Sequence, residues 1–340
     1  MDFNEYVALH KEKIYSKICE YVPIKEPESH YKIMRDYIDR KGKYARPGLL
    51  MLSAQLFGAD EEEALLPAAA QQLSEDWILM QDDWEDDAQL RRGKPTAHRI
   101  YGDVHTINAS NVGNIAMWRI LKDYIIKYGV DKGNKIYEKF YDMINYTIEG
   151  QHIENEFIQN TKDLNAASES LFFRIADSKT CYYSVFGPIQ IGAMIANQSD
   201  STLELLKQIG KNAGIAFQIV DDILDMTADE KLFGKKNFQD LYEGKITLII
   251  LYTFKNATKE EKEKINSIYH KKQKEKTVED INFLREMIEK YKGVEYAKSV
   301  AEKYGNEATE LIKENLDKLP QNEYTSIFTS AIQNMYKRNK

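Results

Sequence analysis

The chain has 340 residues, of which 43% are hydrophobic and 30% are charged, a balance typical of a globular protein with a large core. Its formal net charge of −7 argues against a nucleic-acid surface, which needs a basic face to neutralise phosphates. No apolar run reaches the roughly 18 residues of a membrane span, and the N-terminal segment "MDFNEYVALHKEKIYSK" is charged too early for a secretory signal. We therefore predict a cytoplasmic protein without a membrane span.

The predicted elements, in chain order, are almost all helices. Proline, the strongest helix breaker, occurs seven times and is absent between Pro188 and Pro320. Turn signals fall near "YVPIKEPES", "KGKYARPG", "FGADEEE", "RRGKPTAH", "IQNTKDLN", "ANQSDST", "FGKKNF" and "YKGVEY". The segments between them carry apolar residues at helical spacing, and sustained period-two alternation is rare. No long polar linker divides the chain, so we predict a single all-α domain spanning residues 1–340.

Two aspartate-rich segments share one spacing. In "QDDWEDD", Asp82 and Asp86 lie four residues apart and share one helix face, with Asp83 on the flank; residues 221–225, "DDILD", repeat the pattern. Either segment alone is explained equally well by a solvated acidic face. Both follow apolar runs, however, so the aspartates emerge from buried helices and call for compensating cations. Carboxylates on helices build divalent metal sites, and Mg²⁺ completes its shell with substrate phosphates. We predict a magnesium site that holds a polyanion.

Basic residues lie beside the chain breaks and the acidic segments. Any one of them would usually be a solvated surface residue, but arginine forks and lysine point charges are also the usual partners of phosphate oxygens. Their placement predicts a pocket with two phosphate subsites, one bridged by metal and one bound directly. The residues concerned are Lys43, Arg46, Arg91, Arg92, Lys179, Lys235 and Lys245.

Seven motifs occur in an order that resembles the trans-isoprenyl diphosphate synthases, the family of farnesyl and geranylgeranyl diphosphate synthases. They are "GKYARP", "DDWEDDAQLRRGKPT", "GQHIE", the pair Lys179 and Thr180, "AFQIVDDILD", "GKKNFQD" and "EGKITL", and they run from about residue 42 to 250. The resemblance implies the isoprenoid synthase fold. This fold is a large helical bundle around a deep central cavity, with the two aspartate motifs facing each other at its mouth.

The resemblance also implies roles for individual residues. Three Mg²⁺ ions would be held directly by Asp82, Asp86 and Asp221, with support from Asp83, Asp222 and Asp225. The allylic diphosphate would be surrounded by Arg91, Lys179, Thr180, Gln218, Lys235 and Lys245. The diphosphate of isopentenyl diphosphate would be held by Lys43, Arg46 and Arg92, with the C-terminal "YKRNK" closing over it.

The implied reaction begins when metal ions and basic side chains stabilise the leaving diphosphate, so that the allylic carbon–oxygen bond ionises. The double bond of isopentenyl diphosphate then attacks the cation, and a proton is lost to the departing diphosphate. Water must be excluded, which implies an apolar shaft below the reacting carbons and closing loops above them. Family members are commonly homodimers, and we expect the same of this chain.

Three positions depart from the family pattern. Glu75 stands seven residues before Asp82, where the family usually has His or Gln against isopentenyl diphosphate. A carboxylate there repels a diphosphate unless it is compensated, so we expect Glu75 to pair with a pocket arginine; the alternative is a weakened or altered acceptor site. Phe238 replaces a usual Gly and Glu154 a usual Asp, changes that can shift a loop without removing a charge.

The residues before the first aspartate motif bear on product length. Trp77 lies five residues before Asp82, where bulk limits product length in the family, which predicts the fifteen-carbon product farnesyl diphosphate. An ideal helical wheel, however, places Ile78 and not Trp77 on the stripe of Asp82. Trp77 packed sideways into the core, with the twenty-carbon product geranylgeranyl diphosphate, is therefore the alternative.

Three other functions compete with a synthase. A class I terpene cyclase normally lacks the second aspartate motif and needs no acceptor site, so "DDILD" and "GKYARP" argue against it. A non-catalytic partner subunit usually loses an aspartate motif, and both are complete here. A purely structural acidic bundle leaves the ordered basic motifs unexplained.

Overall fold

A computed structural model describes residues 1–227 and 238–337, which are almost entirely α-helical, as predicted. The first helices are α1 (Phe3–Tyr21), α2 (Glu28–Asp39), α3 (Ala45–Leu56) and α4 (Glu61–Glu85). After a short hairpin, β1 (Leu90–Arg91) and β2 (Lys94–Pro95), come α5 (Ala97–Tyr101), α6 (Asp103–Tyr128) and α7 (Val130–Glu156). The hairpin pairs Leu90 with Pro95 and Arg91 with Lys94, and it is the only sheet in the described part of the chain.

The second half of the chain continues with helices. Two π-helical segments, Phe157–Thr161 and Asp177–Phe186, flank α8 (Glu169–Ala176), and α9 (Gly187–Ile195) and α10 (Asp200–Thr227) follow. The last helices are α11 (Gln239–Glu243), α12 (Leu248–Asn256), α13 (Lys259–Tyr269), α14 (Val278–Tyr291), α15 (Gly293–Glu314) and α16 (Glu323–Tyr336), with 3₁₀ turns at Gln273–Glu275 and Leu316–Lys318. None of the described helices is both long and apolar enough to cross a lipid bilayer.

Packing divides the chain into two compact units. Unit 1 comprises Met1–Asp142, Gly187–Lys207 and Asn315–Ala331, and unit 2 comprises Met143–Phe186, Gln208–Glu314 and Ile332–Lys340. The single-domain organisation expected from the sequence stays a prediction.

Helix α4 is the central helix of unit 1. Asp60 caps its first turn by accepting a hydrogen bond from the amide of Glu62, and every residue from 64 to 77 is buried. Burial on all sides is typical of a helix surrounded by others, and α4 packs against α1, α3 and α6. Ile78 is the first half-buried residue after this stretch, so the first aspartate motif directly follows the fully buried part of α4.

The core of unit 2 supports the π-helical segment Asp177–Phe186. Two glycines allow helices to approach it closely: a Cβ on Gly150 of α7 would overlap the side chain of Ser178, and one on Gly214 of α10 would lie 2.7 Å from the Cα of Cys181. Any side chain at either position would push the segment away. The two glycines therefore fix the residues between Ser178 and Cys181 against α7 and α10.

Candidate active site

The first aspartate motif in unit 1 separates into accessible and buried carboxylates. Asp82 and Asp86 are half-buried, whereas Asp83 is completely buried. The Nε of Arg91 donates to both oxygens of Asp83, at 2.9 and 3.0 Å, and the hydroxyl of Tyr37 donates to Oδ2 at 2.6 Å. Asp83 thus anchors Arg91, whose Nη2 also lies 3.8 Å from Oδ2 of Asp82. Arg91, which follows the motif, therefore offsets part of its negative charge locally.

The acceptor residues implied by the resemblance form a second group in unit 1. Arg92 lies next to the backbone of Gly42: a Cβ added to Gly42 would be 2.6 Å from Nη2 of Arg92. The motifs "GKYARP" and "RRGKP" are therefore neighbours in the fold. Glu75 faces both arginines of the group: its Oε2 is 3.1 Å from Nη1 of Arg46, and its Oε1 is 3.5 Å from Nη2 of Arg92. Glu75 therefore pairs with pocket arginines, as the sequence interpretation expected. Lys43 is exposed on the segment that precedes α3.

Asp76 extends this ion-pair group into the core. Its Oδ1 accepts hydrogen bonds from Nη1 of Arg92 at 3.0 Å and from Nε2 of Gln72 at 3.2 Å. Burial raises the pKa of Asp76 to about 7, and the neighbouring Glu75 charge adds to the rise, while Arg92 opposes it. Arg92 also donates to the carbonyl oxygen of Tyr37 at 2.9 Å. The guanidinium of Arg92 thus contacts three groups of unit 1: Glu75, Asp76 and the Tyr37 carbonyl.

Trp77 and Ile78 have different surroundings. Trp77 is only 3% exposed and packs against α6, where a Cβ on Gly113 would lie 2.8 Å from the Trp77 Cβ. Ile78, one helical turn before Asp82, is half-buried on the same side of α4. The difference in burial agrees with the helical-wheel argument, and the roles of Trp77 and Ile78 in product length stay predictions.

The second aspartate motif, in unit 2, also separates into accessible and buried members. Asp221 is exposed, while Asp222 and Asp225 are each 6% exposed. Asp225 accepts hydrogen bonds from the backbone amides of Gln239 and Asp240, each at 3.2 Å, and so caps the start of α11. Asp222 accepts from Nε2 of Gln218 at 2.8 Å. Burial raises the pKa of Asp222 well above its usual range, and the charge of Asp240 adds to the rise.

The π-helical segment Asp177–Phe186 carries Lys179 and Thr180. The ammonium of Lys179 forms a close ion pair with Glu154, the residue that replaces the usual Asp of "GQxxD". The hydroxyl of Thr180 donates to Oε1 of Gln218 at 2.5 Å. Since Gln218 also donates to Asp222, a continuous chain of hydrogen bonds links this segment to the second aspartate motif.

Lys245 lies just after α11, on a tight turn. Its Nζ is 2.6 Å from Oε2 of Glu243 and 3.8 Å from Oδ1 of Asp240. Phe238, at the N-cap of α11, has a φ of +65°, a left-handed conformation that explains why the family usually has Gly there. Lys235 lies outside the described residues, as do the last three residues of "YKRNK".

Sequence reasoning missed four residues of these groups. Tyr37 and Asp76 bind Asp83 and Arg92 directly, and Tyr269 and Lys276 donate to the carbonyl oxygens that flank the Lys245 turn. Asp76 could have been found from its position beside Glu75. The other three carry no local signal, because their partners are distant in sequence.

The donor chemistry of both motifs fits magnesium. The accessible carboxylates, Asp82, Asp86 and Asp221, are hard oxygen donors, and the Oδ2 of Asp222 is buried with no hydrogen-bond partner among the described residues. Within the ranges 1–227 and 238–337, no three His, Cys, Asp or Glu side chains converge as a metal-binding group. Such a donor set suits an ion that takes few protein ligands and obtains the rest from water and phosphates.

Comparison with known proteins places these motifs in context. A family model described as "Polyprenyl synthetase" matches residues 27–288. A geranylgeranyl diphosphate synthase of Sulfolobus acidocaldarius is 33% identical over 313 residues, 92% of this chain and 91% of that protein. A geranylfarnesyl diphosphate synthase of Aeropyrum pernix is 32% identical over 225 residues, 65% of this chain and 69% of that protein. The crystal structure of geranylgeranyl pyrophosphate synthetase from Pyrococcus horikoshii matches with a TM-score of 0.85 at 29% identity and covers 98% of each chain.

Proposed function

This chain belongs to the polyprenyl synthetase family, and we propose that it is a short-chain trans-prenyltransferase that condenses isopentenyl diphosphate with an allylic diphosphate to make geranylgeranyl diphosphate. One observation carries the proposal: each D-D-x-x-D motif exposes carboxylates while its buried members hold supporting groups, Arg91 in unit 1 and the start of α11 in unit 2. A merely solvated acidic face would not bury half of its aspartates. A catalytic function therefore explains the arrangement better than a structural bundle does.

The carboxylates and cations have separate tasks in this proposal. Three Mg²⁺ ions, when bound, would supply Lewis-acid stabilisation of the departing diphosphate, and their ligands would be Asp82, Asp86 and Asp221. In unit 1, Asp83 holds Arg91 in a fixed orientation, so the guanidinium meets phosphate oxygens without reorganising. Arg46, Arg92 and Lys43 bind the acceptor's diphosphate as forked and point-charge donors.

Unit 2 supplies further groups for the allylic diphosphate. Lys179 and Lys245 each sit beside a carboxylate that holds the ammonium in place, Glu154 and Glu243 respectively. Thr180, on the π-helical segment, and Gln218, on α10, offer polar groups, and their hydrogen bonds link them to Asp222. These groups bind and orient the leaving diphosphate, and we assign Lys235 to the same task from its motif alone.

The twenty-carbon product replaces the fifteen-carbon product expected from Trp77. A geranylgeranyl diphosphate synthase matches 92% of this chain, and the Aeropyrum pernix relative is a geranylfarnesyl diphosphate synthase, so both relatives support a product longer than fifteen carbons. The burial of Trp77 beside α6 is compatible with this product if the indole packs into the core and not across the apolar shaft that the family implies. A homodimer and a cytoplasmic location remain predictions from the sequence and its resemblance.

The proposal is tested by incubating the purified protein with Mg²⁺, isopentenyl diphosphate and, separately, dimethylallyl, geranyl or farnesyl diphosphate. We expect all three starters to be extended to a twenty-carbon alcohol after dephosphorylation, as measured by chromatography and mass spectrometry. The control pair is Asp82→Asn, expected to lose activity, and Asp131→Asn, an exposed aspartate on α7, expected to keep it. Release of diphosphate without elongation would contradict the proposal, and a twenty-five-carbon product would correct its chain length.

A further inference from the structure

The carboxylate of Glu75 bridges two arginines. Glu75 lies in the buried stretch of α4 and is 9% exposed. Each of its oxygens faces a different guanidinium, Arg46 at 3.1 Å and Arg92 at 3.5 Å. Arginine side chains bind carboxylates and phosphates with the same guanidinium donors. Glu75 therefore lies against guanidinium groups that we assign to a substrate diphosphate.

Charge balance makes the competition significant. The two arginines face two acidic side chains, because Arg92 also pairs with Asp76 at 3.0 Å. When both acids are ionised, the four groups carry no net charge, and Lys43, three residues before Arg46, is the further cation that the resemblance assigns to the acceptor. Burial raises the pKa of Asp76 to about 7, so near neutral pH Asp76 offsets the charge of the arginines only in part.

We propose that Glu75 is a specificity-determining residue, a built-in anion that competes with the acceptor's diphosphate for Arg46 and Arg92 and thereby sets the affinity for isopentenyl diphosphate. This inference rests on the proposed function, since it assigns these arginines to the acceptor. The acceptor's diphosphate would then bind in competition with a carboxylate of the protein itself. The affinity for the acceptor is accordingly weaker than the arginine pair alone would give.

The first experiment measures steady-state kinetics of Glu75→Gln, which removes the charge and keeps the shape. We expect the KM for isopentenyl diphosphate to fall about tenfold, the loss of one competing charge at contact distance, while kcat and the KM for the allylic substrate change less than about threefold. Glu75→Asp, which keeps the charge, should retain a KM within about threefold of the wild type. The matched control is Glu62→Gln, an exposed glutamate at the other end of α4.

A second measurement does not depend on turnover. Titration calorimetry with inorganic pyrophosphate in metal-free buffer should give tighter binding to Glu75→Gln than to the wild type, and Glu62→Gln should match the wild type. An unchanged KM and unchanged pyrophosphate binding would overturn the inference. So would a raised KM, because it would mean that Glu75 positions the arginines for the acceptor instead of competing with it.

The two proposals fail in different ways. If the wild type makes no elongated product, the proposed function is wrong, and pyrophosphate binding still reports whether Glu75 competes for the arginines. If elongation occurs and Glu75→Gln changes neither measurement, only the inference about Glu75 is wrong. Should Glu75→Gln fold poorly in thermal denaturation, Glu75→His removes the same fixed negative charge and repeats both measurements.

Discussion

Lys276 donates a hydrogen bond to the carbonyl oxygen of Leu241 at 2.8 Å, although Lys276 is only 7% exposed. Lysine is rarely buried unless it is paired, and burial lowers the pKa of this ammonium to about 8. The hydroxyl of Tyr269 donates to the carbonyl oxygen of Lys245 at 3.3 Å. The two donors hold the turn that presents Lys245, so a segment that looks merely solvated in the sequence positions a residue that we assign to the allylic diphosphate.

Replacing Lys276 with Met should loosen this turn while preserving the length of the side chain. We expect the KM for the allylic diphosphate to rise about five- to tenfold, the equivalent of about 1 kcal/mol for one lost hydrogen bond. The KM for isopentenyl diphosphate should change little, because its assigned ligands lie in unit 1. Lys274→Met, at an exposed position two residues earlier, is the control. Equal changes in both KM values would point to a general loss of structure.

Asp76 predicts a pH dependence of stability. Its folded-state pKa is about 7, compared with an ordinary value of 3.8, because burial disfavours the ionised form. Between these values the folded chain holds a proton that the unfolded chain has lost, so the free energy of unfolding falls as the pH rises from about 4 to about 7. The total contribution is on the order of 4 kcal/mol, and it is constant above pH 7.

Asp76→Asn tests this dependence, because the amide oxygen can still accept from Arg92 and Gln72. Denaturant unfolding of both proteins at pH 5 and pH 8 should show the variant gaining stability relative to the wild type at the higher pH. A difference between variant and wild type that stays constant with pH would show that Asp76 ionises normally in the folded chain.

Chain length should respond to Ile78 and not to Trp77. Ile78→Ala removes bulk from the half-buried side of α4 below Asp82, and we expect products at least one five-carbon unit longer. Trp77→Ala removes a side chain packed against α6, which should lower the free energy of unfolding by about 3–5 kcal/mol and leave product length unchanged. Mass spectrometry of the products and denaturant unfolding of the same variants measure the two effects. Longer products from Trp77→Ala alone would restore Trp77 as the stopper.

Substitution of an accessible aspartate should lower activity, whereas substitution of a buried one should lower stability. Asp82→Ala should reduce kcat at least a hundredfold while changing the free energy of unfolding by less than about 1 kcal/mol, because the Asp82 side chain is 22% exposed to solvent. Asp83→Ala leaves Arg91 without its buried partner and should cost about 3–5 kcal/mol of stability.

Removal of metal gives an independent check on the same motif. Chelation of Mg²⁺ should abolish the activity of the wild type, and addition of Mg²⁺ should restore it. In the absence of substrate, chelation should leave the free energy of unfolding unchanged, because hydrogen bonds within the chain hold the fold. A large destabilisation by chelation alone would show that the ions are structural. Equal stability losses in Asp82→Ala and Asp83→Ala would contradict the assigned difference between the two carboxylates.

The helical architecture followed from local patterns. Apolar residues at helical spacing and few prolines predict helices from interactions within each segment, and the order and spacing of the seven motifs were enough to indicate the family. The helical wheel also distinguished Ile78 from Trp77, because the periodicity of one helix is a local property. The fifteen-carbon prediction relied on the size of Trp77, whereas the relatives favour the twenty-carbon alternative.

The pairings within the site depended on tertiary structure. Tyr37 and Asp83 are 46 residues apart, Arg46 and Glu75 belong to different helices, and Lys276 and Leu241 are 35 residues apart. Charges in a sequence show which residue types are available, but their partners depend on how helices pack, since an ion pair or buried hydrogen bond forms only where packing excludes water from both groups. The sequence alone therefore determined the helices and the set of functional side chains, while packing decided which aspartates stay accessible and that Glu75 faces the arginines.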